Sequence, residues 1–167
     1  MADKYIALLS GIEQEVEGTV TGGTAAQGGK IPALDASGKF DESLLPVGIG
    51  ADVFATTAGE SLTAGDFVYI TPAGTASKAS ASPGGSPAVG FVKTSAASGA
   101  AVTVYFEGSN TNATGLTPGA RVYLSDTVPG GYTMTPVTGT NKLHQYLGRA
   151  YTATAITTEI DDHILRA

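Results

Sequence analysis

Two histidines, fifteen acidic side chains and no cysteine set the limits on the chemistry open to this 167-residue chain. The densest group of ligand types is Asp161-Asp162-His163 beside Glu159. Carboxylates and an imidazole can together hold a divalent cation. On a strand, however, adjacent side chains point to opposite faces, so a solvated tail is the expected state of this stretch. His144, in Leu143-His144-Gln145-Tyr146, has no second histidine near it and is expected on a strand surface. Ser and Asp are plentiful, but no Gly-x-Ser-x-Gly elbow accompanies them to suggest a nucleophilic triad. The glycine-rich run Thr21 to Lys30 resembles a phosphate loop only at first sight. Position 24 is Thr where that loop needs Gly, and position 31 is Ile where it needs Ser or Thr. Asp35-Ala36-Ser37-Gly38 lacks the alternating carboxylates and distal Glu of a calcium loop. Asn112-Ala113-Thr114 is a glycosylation sequon, which has meaning only in an exported protein. Without cysteine there is no disulfide, no thiolate nucleophile and no cysteine zinc site. The residues predict no enzyme, no catalytic set, no cofactor and no metal.

The elements that would position any site are organised by an internal repeat. Residues 62–71, Leu-Thr-Ala-Gly-Asp-Phe-Val-Tyr-Ile-Thr, return at 116–125 as Leu-Thr-Pro-Gly-Ala-Arg-Val-Tyr-Leu-Ser. Ala64-Gly65 and Pro118-Gly119 predict tight turns, because Pro fixes φ and Gly accepts positive φ. The residues after them are β-branched, aromatic or long aliphatic and favour strands. The echo continues from Val89-Gly90-Phe91-Val92 to Leu147-Gly148-Arg149-Ala150. It runs on from Val102–Phe106 to Ile156–Ile160. Gly90 and Gly148, at matching places inside strands, predict a bulge or a close backbone approach. Two copies are too few for a solenoid. They predict a mainly β domain over 51–167, a small barrel or sandwich of two similar halves at about 59–108 and 113–164.

Candidate strands lie at 52–57, 66–71, 75–80, 87–93, 101–107, 120–125, 131–136, 144–151 and 155–160. Turn signals such as Thr71–Gly74, Ser82–Gly85 and Val128–Gly131 separate them, as in sandwiches and barrels. Val102, Val104 and Phe106 should share one face, with Thr103, Tyr105 and Glu107 on the other. Residues 2–20 alternate weakly and are expected to be extended. Thr21 to Lys30 reads as a linker. In 30–46, Asp35 to Gly38 predicts a turn. At most one helical turn is expected at Asp41 to Leu45, with Asp41 as a possible cap. Ile31, Leu34, Phe40, Leu44 and Leu45 are apolar anchors on an otherwise polar stretch bounded by Pro32 and Pro46. Residues 1–50 therefore read as an extended N-terminal arm whose apolar side chains dock on a partner.

Composition narrows the partners. Hydrophobic residues make up 42% and support a core, but only 14% are charged, against about a quarter in ordinary domains. Such a hydroxyl-rich surface suits burial against protein subunits. A net charge of −6 without a Lys/Arg cluster argues against nucleic acid. No apolar run approaches a membrane span. The N-terminus makes a poor signal peptide, so the expectation is a protein made and used without export.

The phrase Gly29-Lys30-Ile31-Pro32-Ala33-Leu34-Asp35-Ala36-Ser37-Gly38-Lys39-Phe40-Asp41-Glu42-Ser43-Leu44-Leu45-Pro46-Val47-Gly48 and then Ala58–Tyr69 resemble tailed-bacteriophage head decoration, or capsid cement, proteins. So do Gly90–Val92, Val102–Gly108 and Gly115–Ser125. The Gly-Lys-Ile-Pro to Leu-Leu-Pro phrase is also similar to phage tail-fibre proteins. The resemblance implies a non-enzymatic virion protein, made in the host cytoplasm and placed on the outer capsid surface. Its implied partners are the major capsid protein and other copies of itself, often as a homotrimer. The alternative it implies is a tail-fibre or baseplate adaptor or receptor-binding module. A secreted carbohydrate-binding β domain is a third class, weakened by the absence of tryptophan and of a leader.

Overall fold

Each half opens on the same turn. The Asp66 amide donates to the Thr63 carbonyl and the Ala120 amide to that of Thr117, both at 3.0 Å. Gly65 and Gly119 hold φ of 97° and 84°, a region that L side chains avoid. The turns are therefore placed where the Ala-Gly and Pro-Gly pairs predict them. A computed structural model describes residues 4–9, 11–22, 30–36, 38–41, 44 and 52–167. It is almost entirely β, and it divides into two compact units, Met1–Gly50 and Ala51–Ala167.

In the first unit, β1 (Lys4–Leu9) and β2 (Ile12–Glu17) form an antiparallel hairpin, with Lys4 opposite Glu17 and Leu9 opposite Ile12. The alternation in Ile12–Glu17 resolves as strand. Thr19 bridges to Pro32 through its amide on Ile31 (3.0 Å) and its carbonyl on Ala33 (2.8 Å). The turn at Asp35 closes as expected: the Gly38 amide donates to the Asp35 carbonyl and the Lys39 amide to the Asp35 carboxylate. The Leu44 amide donates to the Asp41 carbonyl; residues 42, 43 and 45, the rest of the expected helical turn, lie outside the described residues. Residues 23–29, most of the expected linker, lie outside the described residues.

The second unit contains β3 (Val53–Thr57), β4 (Phe67–Ile70), β5 (Ala76–Lys78), β6 (Gly90–Val92), β7 (Ala101–Tyr105) and β8 (Gly108–Asn110). These are followed by β9 (Arg121–Leu124), β10 (Tyr132–Thr133), β11 (Leu143–His144), β12 (Tyr146–Thr152), β13 (Ala155–Thr158) and β14 (Ile164–Leu165). One antiparallel sheet runs β3-β7-β6-β4-β5 and another β8-β13-β12-β9-β10. Strand for strand the order is the same, with β3 answered by β8, β4 by β9, β5 by β10, β6 by β12 and β7 by β13. The sheets form a sandwich and no closed barrel. The register repeats too: Val68 faces Gly90 and Val122 faces Gly148.

Two expectations need correction. Residues 144–151 are not one strand, because β11 leaves to pair with β14 and the chain resumes as β12 after Gln145. The last echo is also displaced by two residues. Val92 faces Val104 whereas Ala150 faces Ile156, so Val104 corresponds to Ile156, not to Thr158. A shift of two keeps every side chain on its own face, which is why the hydrophobic pattern alone could not reveal it.

The faces pack head to tail. On the first sheet Val68, Val92, Val102 and Val104 bury one face beneath Ala58, Leu62 and Ala76 of the same half. Phe67 and Phe91 point the other way, into a core shared with Val122, Leu124, Leu147, Ala150 and Ile156 of the second sheet. Tyr105 packs on that core with ring centroids 5.8 Å from Phe91. The central strands β4 and β6 of the first sheet are thus buried on both faces, whereas on the second sheet Arg121, Arg149 and Thr157 stay exposed on the face away from the core and Tyr123 there is buried.

Gln145 fastens the halves. Its buried amide accepts from the Ala88 amide and donates to the Ala88 carbonyl, both at 2.8 Å, and donates to the Asp161 carbonyl at 3.0 Å. Asn110, also buried, donates to the Gly65 carbonyl at 2.9 Å.

Candidate functional site

Of the arm residues singled out from sequence, Ile31, Leu34 and Phe40 stand 54%, 45% and 55% exposed. Leu44 is half-buried and Leu45 lies outside the described residues. Three large apolar side chains therefore sit in water on one short, mostly irregular segment. Beside them Tyr5 accepts from the Ile31 amide at 3.3 Å, and Lys4 pairs with Glu15 at 3.2 Å.

The second candidate is the face of the second sheet that points away from the shared core. Along β9, Val122 and Leu124 turn into the core, so Arg121 and Tyr123 point the other way. Along β12 the register slips between Tyr146 and Gly148. The cause is visible at Gly148: φ is 144°, and a Cβ there would lie 2.1 Å from the Thr157 carbonyl oxygen. This is the close approach that the paired glycines predict; at Gly90 the corresponding distance, to the Tyr105 carbonyl, is 2.6 Å. The bulge lets Tyr146 and Arg149, three residues apart, share the open face while Leu147 and Ala150 remain in the core. A regular strand would have split them between faces.

The result is a groove of about 410 Å³ lined by Arg121, Tyr123, Tyr146 and Arg149, by His144, and by Glu159, Asp161, Asp162 and Ile164. Tyr123 lies 5.1 Å from the His144 ring and 6.0 Å from the Tyr146 ring, centroid to centroid. The Arg121 guanidinium is 6.0 Å from the Tyr146 ring, and Arg149 donates to the Gly119 carbonyl at 3.2 Å. Arg121 and Arg149 face each other directly across the β9–β12 pair. Like charges so placed repel. Among the described residues, neither arginine lies within ion-pair distance of a carboxylate.

Sequence reasoning had singled out Glu159, Asp161 and Asp162 as one group with His163, and His144 apart from them; the first three and His144 line this groove. His163 lines a different depression, with Phe106 and Ile160. Among the described residues no cluster of His, Asp and Glu is suited to a metal ion, and no helix is long and apolar enough to cross a membrane. Sequence reasoning missed Arg121, Tyr123, Tyr146 and Arg149. The repeat carried a signal for two of them, since Phe67 and Phe91 in one copy stand as Arg121 and Arg149 in the other. The chain matches no family model and no curated protein.

Proposed function

We propose that this chain is a non-enzymatic structural protein of a tailed-bacteriophage virion that decorates the outer capsid surface and cements it by binding major capsid protein subunits. The observation that carries the reading is the exposure of Ile31, Leu34 and Phe40 on the N-terminal segment. Each such side chain gains about 1.5–3 kcal/mol on full burial, part of which offsets the entropy of ordering the segment. The sandwich of two repeated halves and the weakly charged, hydroxyl-rich composition support the same reading, as does the resemblance in 29–69. A ligand that binds only the assembled lattice stabilises it by its binding free energy. Presentation as a homotrimer would add avidity.

Co-sedimentation with particles stripped of the native protein tests the reading. Removal of residues 1–46 should leave the β domain folded and greatly weaken attachment, and Phe40→Ser with Leu44→Ser should weaken it less. Equal binding by the truncated and full chains would overturn the mechanism. Labelled antibody should mark the head; labelling at the tail tip would replace this reading with a tail-fibre or baseplate module.

A further inference from the structure

We propose that the groove on the open face of the second sheet binds a carboxylated sugar. The inference goes beyond the capsid reading and does not depend on the arm.

The arginine pair calls for an anion. Arg121 and Arg149 face each other on neighbouring strands with no carboxylate at ion-pair distance among the described residues. Both side chains are exposed, so the repulsion is tolerable in water, but it is relieved when an anion bridges them. A guanidinium is planar and presents paired donors that match a carboxylate.

The carboxylates of the groove narrow the kind of anion. Glu159, Asp161 and Asp162 border the same space. Ionised carboxylates only accept hydrogen bonds. They oppose a simple inorganic anion or a phosphate chain but suit hydroxyl donors. A ligand with one carboxylate and several hydroxyls satisfies both ends at once.

Three rings line the same groove. Tyr123 is buried in contact with His144 and Tyr146, and these two rings, half-buried, are the ones a ligand can reach. Aromatic rings offer flat apolar area and, in tyrosine, a polar edge. The C–H face of a pyranose can lie on such a surface while its hydroxyls reach outward. The volume of about 410 Å³ falls within the roughly 300–1,000 Å³ of small-molecule sites. A peptide strand is disfavoured, because β9 and β12 are interior strands with both edges paired and offer no backbone for strand addition.

The test uses saturation-transfer NMR and titration calorimetry on the full chain. The probes are glucuronate, galacturonate and N-acetylneuraminate, with methyl glucoside and methyl galactoside as neutral counterparts and acetate as a bare carboxylate. Binding in the millimolar range or tighter is expected for at least one acidic sugar. Its neutral counterpart and acetate should each bind about tenfold more weakly or not at all, the loss of one charge-assisted contact. Arg149→Gln and Tyr146→Ala should each weaken the acidic sugar about tenfold. Arg149→Gln should leave the melting temperature unchanged or raised, which separates loss of binding from loss of fold. The proposal is overturned if none of the three acidic sugars binds, if acetate or a neutral sugar binds equally well, or if Arg149→Gln binds like the parent.

Discussion

The two sheets of the β domain share strand order and the register of their central pair, yet present opposite chemistry at one row of positions. Across β4, β6 and β7 the row reads Phe67, Phe91, Tyr105; across β9, β12 and β13 it reads Arg121, Arg149, Thr157. The first row lies under the second sheet and the second lies open. Backbone architecture is therefore not what decides which face is buried. A few side chains on a common frame decide it, because a ring gains by leaving water and a guanidinium loses.

The largest test of this contrast is alanine at matched places. Phe91→Ala should cost about 3–5 kcal/mol by leaving a cavity in the shared core. Arg149→Ala, at the corresponding position, should stay within about 0.5 kcal/mol. Urea denaturation of the two variants reads the difference, and equal losses would remove the distinction between the faces.

The two strand glycines come next. Gly148→Ala places a methyl 2.1 Å from the Thr157 carbonyl oxygen at a positive φ, whereas Gly90→Ala meets the Tyr105 carbonyl at 2.6 Å without that backbone demand. The expected losses are about 2–5 kcal/mol for Gly148→Ala, where strain and overpacking add. For Gly90→Ala overpacking alone gives about 1–3 kcal/mol. Melting curves of the pair would show the ordering or reverse it.

Gln145→Leu probes the fastening between the halves. It strands the buried amide and carbonyl of Ala88, and an unpartnered buried group costs about 1–3 kcal/mol. Hydrogen exchange at the Ala88 amide should accelerate. Unchanged protection there would show that the side chain fastens nothing.

The smallest expected effect concerns an ion pair of the second half. Lys142 donates to the Asp126 carboxylate at 2.5 Å, and both side chains are partly exposed. This hydrogen bond, opposed by some desolvation, holds the Asp126 carboxyl below its ordinary value. A depressed folded-state value means that the contribution is present above the unfolded value and fades as pH falls through the folded one. Lys142→Met should remove that part of the acid dependence, seen as a smaller difference from the parent at acid pH than at neutral pH. A gap that does not narrow on acidification would discount the pair.

Much of the domain was legible in the sequence because turn chemistry and strand alternation are local. The Gly65 and Gly119 turns, the extended backbone at 12–17 and most strands followed from neighbouring residues. β8 escaped because Gly108-Ser109-Asn110 reads as a turn, and only its partner β13 makes it a strand. β14 depends in the same way on β11. The groove was harder still. Arg121 and Arg149 are far apart in sequence and meet only through pairing, and the bulge that brings Tyr146 to their face is set by a register slip. The acidic residues at its edge stood out by type, but nothing local joined them to the arginines.

The repeated register also bears on how the chain reaches its fold. β4 and β9 each pair with a glycine-bearing strand in the same alignment, so a folding chain could join β9 to β6 or β4 to β12. The first exchange would carry Arg121 into the region that the second sheet covers, with no carboxylate to accompany it. The second would leave Phe67 facing water. Burying an unpaired charge costs several kcal/mol, enough to empty such mispaired states before they accumulate. The exchanged pair of residue types thus works as an address label that tells two look-alike strands apart during folding.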